Sequence, residues 1–239
     1  MRQIVLDTET TGMNKGQKDF WSGHRIIEIG AVELVGRRLT GEHYHQYINP
    51  EREVDEEALQ VHGISNEFLA DKPTFRDIVE EFMNFVSGAE LIIHNAEFDV
   101  SFINYELSLL GKDNRWGRLE DHCTITDTLV LARQRFPGQR VNLDALCKRF
   151  GIDNSNRTLH GALLDSEILA DVYLAMTGGQ ESLLLDTEDT SSAATRETTI
   201  SNRPTAIAIP VVRAHADELS AHQNYLDMLS KKSGQQIDW

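Results

Sequence analysis

Apolar residues are spaced in two ways along most of this chain, and the alternation between them predicts strands interleaved with helices. Residues 3–6 are a short apolar run rich in β-formers, read as a buried strand that ends in Asp7-Thr8-Glu9-Thr10-Thr11-Gly12. The polar, glycine-containing text of residues 13–25 reads as a loop. Residues 26–35 and 39–48 read as two more strands with a tight turn at Gly36-Arg37-Arg38, an antiparallel meander. After Pro50 the period becomes helical. Residues 56–61 and 66–70 are short pieces, and residues 74–86 place Phe75, Ile78, Val79, Phe82 and Val86 on one face before Ser87-Gly88. Residues 90–93 form a β-branched apolar run that leads into a helix over residues 97–110, which is a parallel crossover unit. Helices are predicted at residues 125–136, at 143–150 with Asn142 as N-cap, and at 159–176, closed by Gly178-Gly179.

Beyond residue 180 this patterning stops. Residues 186–205 are rich in Ser, Thr, Asp and Glu with almost no large apolar side chains, the composition of a disordered linker. Residues 206–212 are apolar enough for a strand, and residues 217–232 carry Leu219, Leu226 and Leu229 at helical spacing. A segment this short cannot enclose its own core, so its apolar residues are expected to dock on a partner. The expected organisation is a folded domain over residues 1–180, a flexible linker over 181–205 and a docking tail over 206–239.

Composition narrows the class. With 239 residues, 40% of them hydrophobic, the chain can bury a core without staples. The two cysteines, Cys123 and Cys147, are too few for a disulfide framework and form no Cys-x-x-Cys pair, which points to a reducing compartment. No apolar run approaches the roughly 18 residues of a membrane helix, and the opening residues reach Asp7 before a signal-peptide core could form. A cytoplasmic protein that does not enter membranes is expected. Against 38 Asp and Glu stand 23 Lys and Arg, a net charge of −15, of which −11 falls on residues 1–180. Such a balance argues against gripping nucleic acid through a broad basic face. It leaves open a protein that meets phosphate through metal ions.

The acids themselves suggest that chemistry. Asp7 and Glu9 are two apart at a strand end, so alternation puts them on one face, where their repulsion calls for a cation between them. Mg²⁺ or Mn²⁺ is the natural third party, although two solvated strand-end acids would read the same way in isolation. Asp99 follows a second apolar strand and a turn, and Asp165 lies within an apolar helical face where a carboxylate needs a partner or a metal. On a regular helix His160 and Asp165 would point roughly 140° apart, so they can share a site only if His160 sits before the helix or in its loose first turn. A histidine beside converging acids reads as a general base.

The segments Asp7-Thr8-Glu9-Thr10-Thr11-Gly12, His94-Asn95-Ala96-Glu97-Phe98-Asp99 and His160-Gly161-Ala162-Leu163-Leu164-Asp165 resemble the three motifs of the DEDDh exonucleases. The wider text, including Ile26-Ile27-Glu28-Ile29-Gly30-Ala31-Val32-Glu33 and Val61-His62-Gly63-Ile64, is similar to the proofreading members of that family. The resemblance covers residues 1–180 closely and the tail more loosely. It implies an α/β, ribonuclease-H-like fold with a mixed five-stranded sheet flanked by helices and a flexible C-terminal tail. It implies a 3′→5′ exonuclease that removes mispaired 3′-terminal nucleotides of DNA as 5′-mononucleotides. In it Asp7, Glu9, Asp99 and Asp165 hold two divalent ions, Mg²⁺ or Mn²⁺, and His160 deprotonates the attacking water. Glu57 and His62 would contact the terminal nucleotide, with Thr10, Asn95 and Phe98 lining the pocket; for His62 and Phe98, packing alone reads as an alternative.

The same resemblance supplies partners. The tail is similar to the region that docks on the alpha subunit of a bacterial DNA polymerase III. Residues 180–185 resemble the glutamine-leucine peptides that bind the sliding clamp, and a helix end running into a linker reads equally well there. Whether a small theta-like subunit binds is left open by the sequence. Three other readings are weaker. Aspartyl phosphatases need a second aspartate where Glu9 stands, RNA-trimming exonucleases of the same superfamily usually lack a linker and docking tail, and a pure scaffold has no use for converging carboxylates.

Overall fold

The computed structural model describes residues 1–157, 159–178 and 215–233. The chain divides into two units, Met1–Leu184 and Leu185–Trp239. In the first, β1 (Arg2–Thr10), β2 (Ile26–Val35), β3 (Arg38–Tyr47), β4 (Glu90–Ile93) and β5 (Thr124–Asp127) form one sheet in the order β3-β2-β1-β4-β5. The first three strands pair antiparallel, and β4 pairs parallel with both β1 and β5. The β2–β3 hairpin turns on Gly36 and Arg37, both with positive φ (57° and 64°), as a right-twisted two-residue hairpin demands. Around the sheet lie α1 (Glu56–His62), α2 (Asn66–Leu69), α3 (Phe75–Val86), α4 (Ala96–Leu109), α5 (Thr128–Arg135), α6 (Leu143–Phe150) and α7 (Ala162–Thr177). This is the mixed, helix-flanked five-stranded sheet expected from the sequence.

Strand alternation sorts the core. On one face Ile4, Leu6, Ile29, Ala31, Leu91 and Ile93 pack against Phe75, Phe82 and Met83 of α3 and Phe102 and Ile103 of α4. On the other, Val5, Val32, Leu34 and Ile92 pack against Leu169, Ala170 and Tyr173 of α7. A separate cluster joins α5, α6 and the far side of α7 through Ala132, Leu146, Ile168 and Val172. Thr74 caps α3 in a reciprocal box with Asp77, and Asn142 caps α6 by accepting from the Ala145 N–H at 3.0 Å.

Helix α7 lies unusually close to the sheet because of one residue. A Cβ placed on Gly30 would sit 2.2 Å from backbone atoms of Ala162 and Leu163, so only glycine admits the helix start at this distance. The Ser166 hydroxyl completes the junction, donating to the Gly30 carbonyl at 2.8 Å.

Three predicted boundaries are corrected. Strand β1 does not stop at residue 6 but stays paired with β2 through Thr10, because the polar residues beyond Leu6 still find ladder partners. Residues 125–136 are not one helix. Thr124–Asp127 pair with β4, and the Asp127 carboxylate caps α5 by accepting from Leu129 and Val130, which fixes the helix start at Thr128. The helix predicted from residue 159 begins at Ala162, after Gly161 in extended conformation.

In the second unit the expected C-terminal helix is α8 (Ala216–Ser233), with Leu219, Tyr225 and Met228 exposed. The predicted linker over residues 181–205, the peptide at 180–185 and the strand at 206–212 lie outside the described residues. Among the described residues no helix is long and apolar enough to cross a membrane.

Candidate active site

The carboxyl-terminal end of β1 is where the acids meet. Asp7 pairs with Gly30 and Glu9 with Glu28 across the β1–β2 ladder, so both carboxylates leave the sheet on the α7 side, in line with Val5. Thr8 points the other way, and its hydroxyl donates to Asp99 Oδ1 at 2.7 Å. Asp99 is the fourth residue of α4, whose start is fixed from β5. The Asp127 carboxylate accepts from the backbone N–H groups of Asn95 (3.2 Å) and Ala96 (3.1 Å), while Asn95 takes a left-handed conformation (φ 69°). Nothing in the residue pattern signals this second duty of Asp127.

From the opposite side, α7 supplies Asp165 in its first turn, and the extended segment before it supplies His160. The segment is tied down by the His160 N–H, which donates to the Val61 carbonyl of α1 at 3.1 Å. His160 thus sits outside the helix, the placement under which it and Asp165 can share a site, with Nδ1 3.6 Å from Asp165 Oδ2. Candidate ligand atoms of Glu9, His160 and Asp165 all lie within 4.8 Å of one another. Asp7, Thr8, Glu9, Asn95, Phe98, Asp99, His160 and Asp165 line one cavity of about 220 Å³.

That cavity also holds a cation that sequence reasoning missed. The guanidinium of Arg157 makes a two-pronged bond to Asp165, through Nε to Oδ1 and through Nη2 to Oδ2 at 2.7 Å. Nη1 reaches Asp144 Oδ1 at 2.8 Å and Nη2 reaches His160 Nδ1 at 3.0 Å.

Three of the acids are far from their ordinary behaviour. Burial, then the charges of Asp99, Glu9 and Asp165, hold the Asp7 carboxyl well above the usual range. Burial and the neighbouring Asp165, Glu28 and Asp99 push Glu9 up to about 8. Burial raises Asp99 to about 7, against the opposing bond from Thr8. Without cations Glu9 and Asp99 take up protons near neutrality, so the cleft is built for more positive charge than Arg157 provides. Carboxylate oxygens dominate the donor set, with one imidazole at the edge, which suits a hard divalent ion.

Beside this cavity lies a second, of about 500 Å³, that shares Glu9 and Phe98 with it and is walled by Thr10, Glu57 and His62. Phe98 lies parallel to Phe20 of the 13–25 loop, ring centres 5.7 Å apart, so it packs and lines the cleft at once. His62 is buried on α1, with Nδ1 accepting from the Ile64 N–H at 3.0 Å, and burial lowers its pKa. The Thr10 hydroxyl is turned to its own loop, donating to the Gly12 carbonyl at 3.2 Å. Exposed Glu57 is paired with Lys15 across the mouth. All ten sequence-predicted site residues therefore fall in or on these two adjoining clefts.

A family model described as "Exonuclease" matches residues 4–173. Proteins named DNA polymerase III subunit epsilon are 54% identical in Salmonella typhimurium and in Escherichia coli K12, over 98% of this chain and 95% of each relative. The one from Haemophilus influenzae is 52% identical over 100% of this chain and 94% of its own length. The chain belongs to the exonuclease family, in its epsilon-subunit branch. This exonuclease is also similar in fold to exonuclease X in complex with 5′-overhanging duplex DNA (TM-score 0.55, 22% identity, 74% of this chain and 91% of that one). It is likewise similar to the nuclease domain of 3′hExo, a DEDDh family member bound to rAMP (TM-score 0.58, 18% identity, 73% and 90%). As a member of its family the exonuclease acts from 3′ to 5′ and depends on divalent metal.

Proposed function

We propose that this protein proofreads for a bacterial replicative polymerase, hydrolysing mispaired 3′-terminal nucleotides from DNA as 5′-mononucleotides. The convergence of Asp7, Glu9, Asp99, Asp165 and His160 in one cleft at the end of β1 carries the reading. In it the four carboxylates would hold two divalent ions, Mg²⁺ or Mn²⁺, which would polarise the scissile phosphodiester and make the attacking water more acidic. His160, half exposed beside Asp165, takes the proton from that water at a ring nitrogen. Thr8 keeps Asp99 turned toward the cleft by the bond it donates. Glu57 and His62 contact the terminal nucleotide in the adjoining cleft, with Thr10, Asn95 and Phe98 shaping its walls.

The tail supplies the partner in this reading. Residues 206–239 dock on the polymerase alpha subunit, for which α8 offers Leu219, Tyr225 and Met228. Residues 180–185 bind the sliding clamp, and residues 181–205 form the tether that raises local concentration at the primer end without fixing orientation.

The test is a DNA primer with a mismatched 3′ terminus, incubated with the full chain and Mg²⁺ or Mn²⁺. Mononucleotide release is expected, abolished by chelator and reduced roughly a thousandfold or more in Asp7→Ala. A primer left intact by the wild type, or degraded as fast by Asp7→Ala, would sink the proposal. Single-stranded RNA in a parallel lane measures how far the cleft separates DNA from RNA.

A further inference from the structure

We propose that Arg157 is a resident counter-cation: it occupies the metal side of Asp165 and silences His160, and it must swing away to Asp144 before the site can be loaded. The inference rests on the metal-binding reading of the cleft given above.

The geometry is specific. Asp165 Oδ2 and His160 Nδ1 are 3.6 Å apart, and Arg157 Nη2 is bonded to both, at 2.7 Å and 3.0 Å. A positively charged nitrogen therefore sits between two members of the cluster of three that is close enough to share an ion. The Arg157 side chain is only 8% exposed and that of Asp165 4%, so this is an enclosed contact with little solvent to screen it. A two-pronged guanidinium bond is one of the strong partners that a buried carboxylate can find in a protein. A divalent ion placed against the same oxygens would face that guanidinium at close range, and the two compete for the carboxylate.

The bond to His160 has its own consequence. An arginine N–H can only donate, so it uses the Nδ1 lone pair, and the neutral ring then carries its proton on Nε2. Neither nitrogen is left to accept a proton from water. One side chain thus holds both an intended metal ligand and the intended base in a closed arrangement. The way out is already present: Arg157 Nη1 is bonded to Asp144 Oδ1 at 2.8 Å, and Asp144 is 58% exposed at the rim. Rotation about that anchor frees Asp165 and His160 without leaving the guanidinium unpaired. Charge counting favours the swing, because two divalent ions balance Asp7, Glu9, Asp99 and Asp165 only when Arg157 is not counted among them. Arg157 is in these terms a positioning residue.

The experiment is calorimetric titration of Mn²⁺ into the metal-stripped full chain, comparing wild type, Arg157→Gln and Arg157→Lys. Removing the competitor should tighten Mn²⁺ binding about tenfold in Arg157→Gln. The lysine variant should lie between, since it keeps the charge without the fork. The stripped glutamine variant should also melt several degrees below wild type, with the gap closing at saturating Mn²⁺. A folded Arg157→Gln that binds Mn²⁺ no better than wild type overturns the proposal. Wild type that binds no Mn²⁺ overturns the metal reading beneath it as well. Should Arg157→Gln fail to fold, a resonance of the wild type decides. The Arg157 Nε–H resonance, identified by its loss in Arg157→Lys, should shift with Mg²⁺ at the midpoint of binding, and a resonance unmoved at saturation overturns the swing.

Discussion

Thr8 shows how much a single hydroxyl does here. It lies between the two acids of β1 yet points away from them, and the bond it donates is what turns Asp99 into the cleft from another element. Replacing it with the near-isosteric valine should leave the fold intact and lower exonuclease turnover by roughly 10- to 100-fold, the usual effect of losing such a support; unchanged turnover would show that Asp99 needs no such guide. The buried acids also predict a pH dependence. Their folded-state pKa values are raised, so the folded protein binds more protons than the unfolded one, and stability falls as pH rises toward the folded values. The imidazoles of His24, His62 and His94 are shifted down by burial and act in the opposite sense, but their contribution is complete once pH passes the ordinary histidine value of about 6.5. Between about pH 6.5 and 8 the acids decide. Metal-stripped protein should melt lower at pH 8 than at pH 6.5, Glu9→Gln should flatten that slope, and added Mn²⁺ should stabilise more at pH 8. A melting temperature that rises across this window in stripped protein would contradict the account. At this scale the sequence was informative where spacing carried meaning, as in Asp7 and Glu9. It was silent about Arg157, because an arginine in a polar loop reads as a solvated surface charge until the fold turns it inward.

Elements were legible in proportion to their length and period. Helix α3, with its unbroken apolar face and capping box, was placed to within a residue, whereas β5 was absorbed into the helix that follows it. Four residues, Thr124–Asp127, at a sheet edge with no buried member give no alternation to detect. What fixes that strand is pairing with β4 and the cap at Asp127, both invisible to periodicity. The contact of α7 with β2 was equally hidden, since a glycine within an apolar strand signals close approach without saying of what. Its consequence is testable. Gly30→Ala puts a methyl into the backbone of Ala162 and Leu163, so α7 must retreat and carry Asp165 with it. Overpacking of this kind should cost about 1–3 kcal/mol in urea melts, while displacement of a ligand by about 1 Å should cost roughly a hundredfold in activity. An alanine variant that keeps full turnover would show that Asp165 tolerates a looser α7.

For the whole molecule the charge is the guide. A net −11 over residues 1–180 argues against a broad basic face for duplex DNA, and in the function proposed above the substrate is engaged at its last nucleotides while the partner supplies the rest. Two outcomes follow. The KM for a single-stranded primer should change only a few-fold between 50 and 200 mM salt, far less than the factor of roughly 10³ expected of a protein with many phosphate contacts. Truncation near Thr190 should leave nuclease activity intact and abolish co-purification with the polymerase, and retained binding would refute the docking role of the tail. The hydrogen bond from the His160 N–H to Val61 has a consequence at this scale too. It fastens the loop that carries His160 to the helix that carries Glu57 and His62, so in the function proposed above the wall against the terminal nucleotide and the general base ride on one lever. A nucleotide that seats badly against α1 would tilt the base off its water, making correct fit in the cleft a condition for the cut.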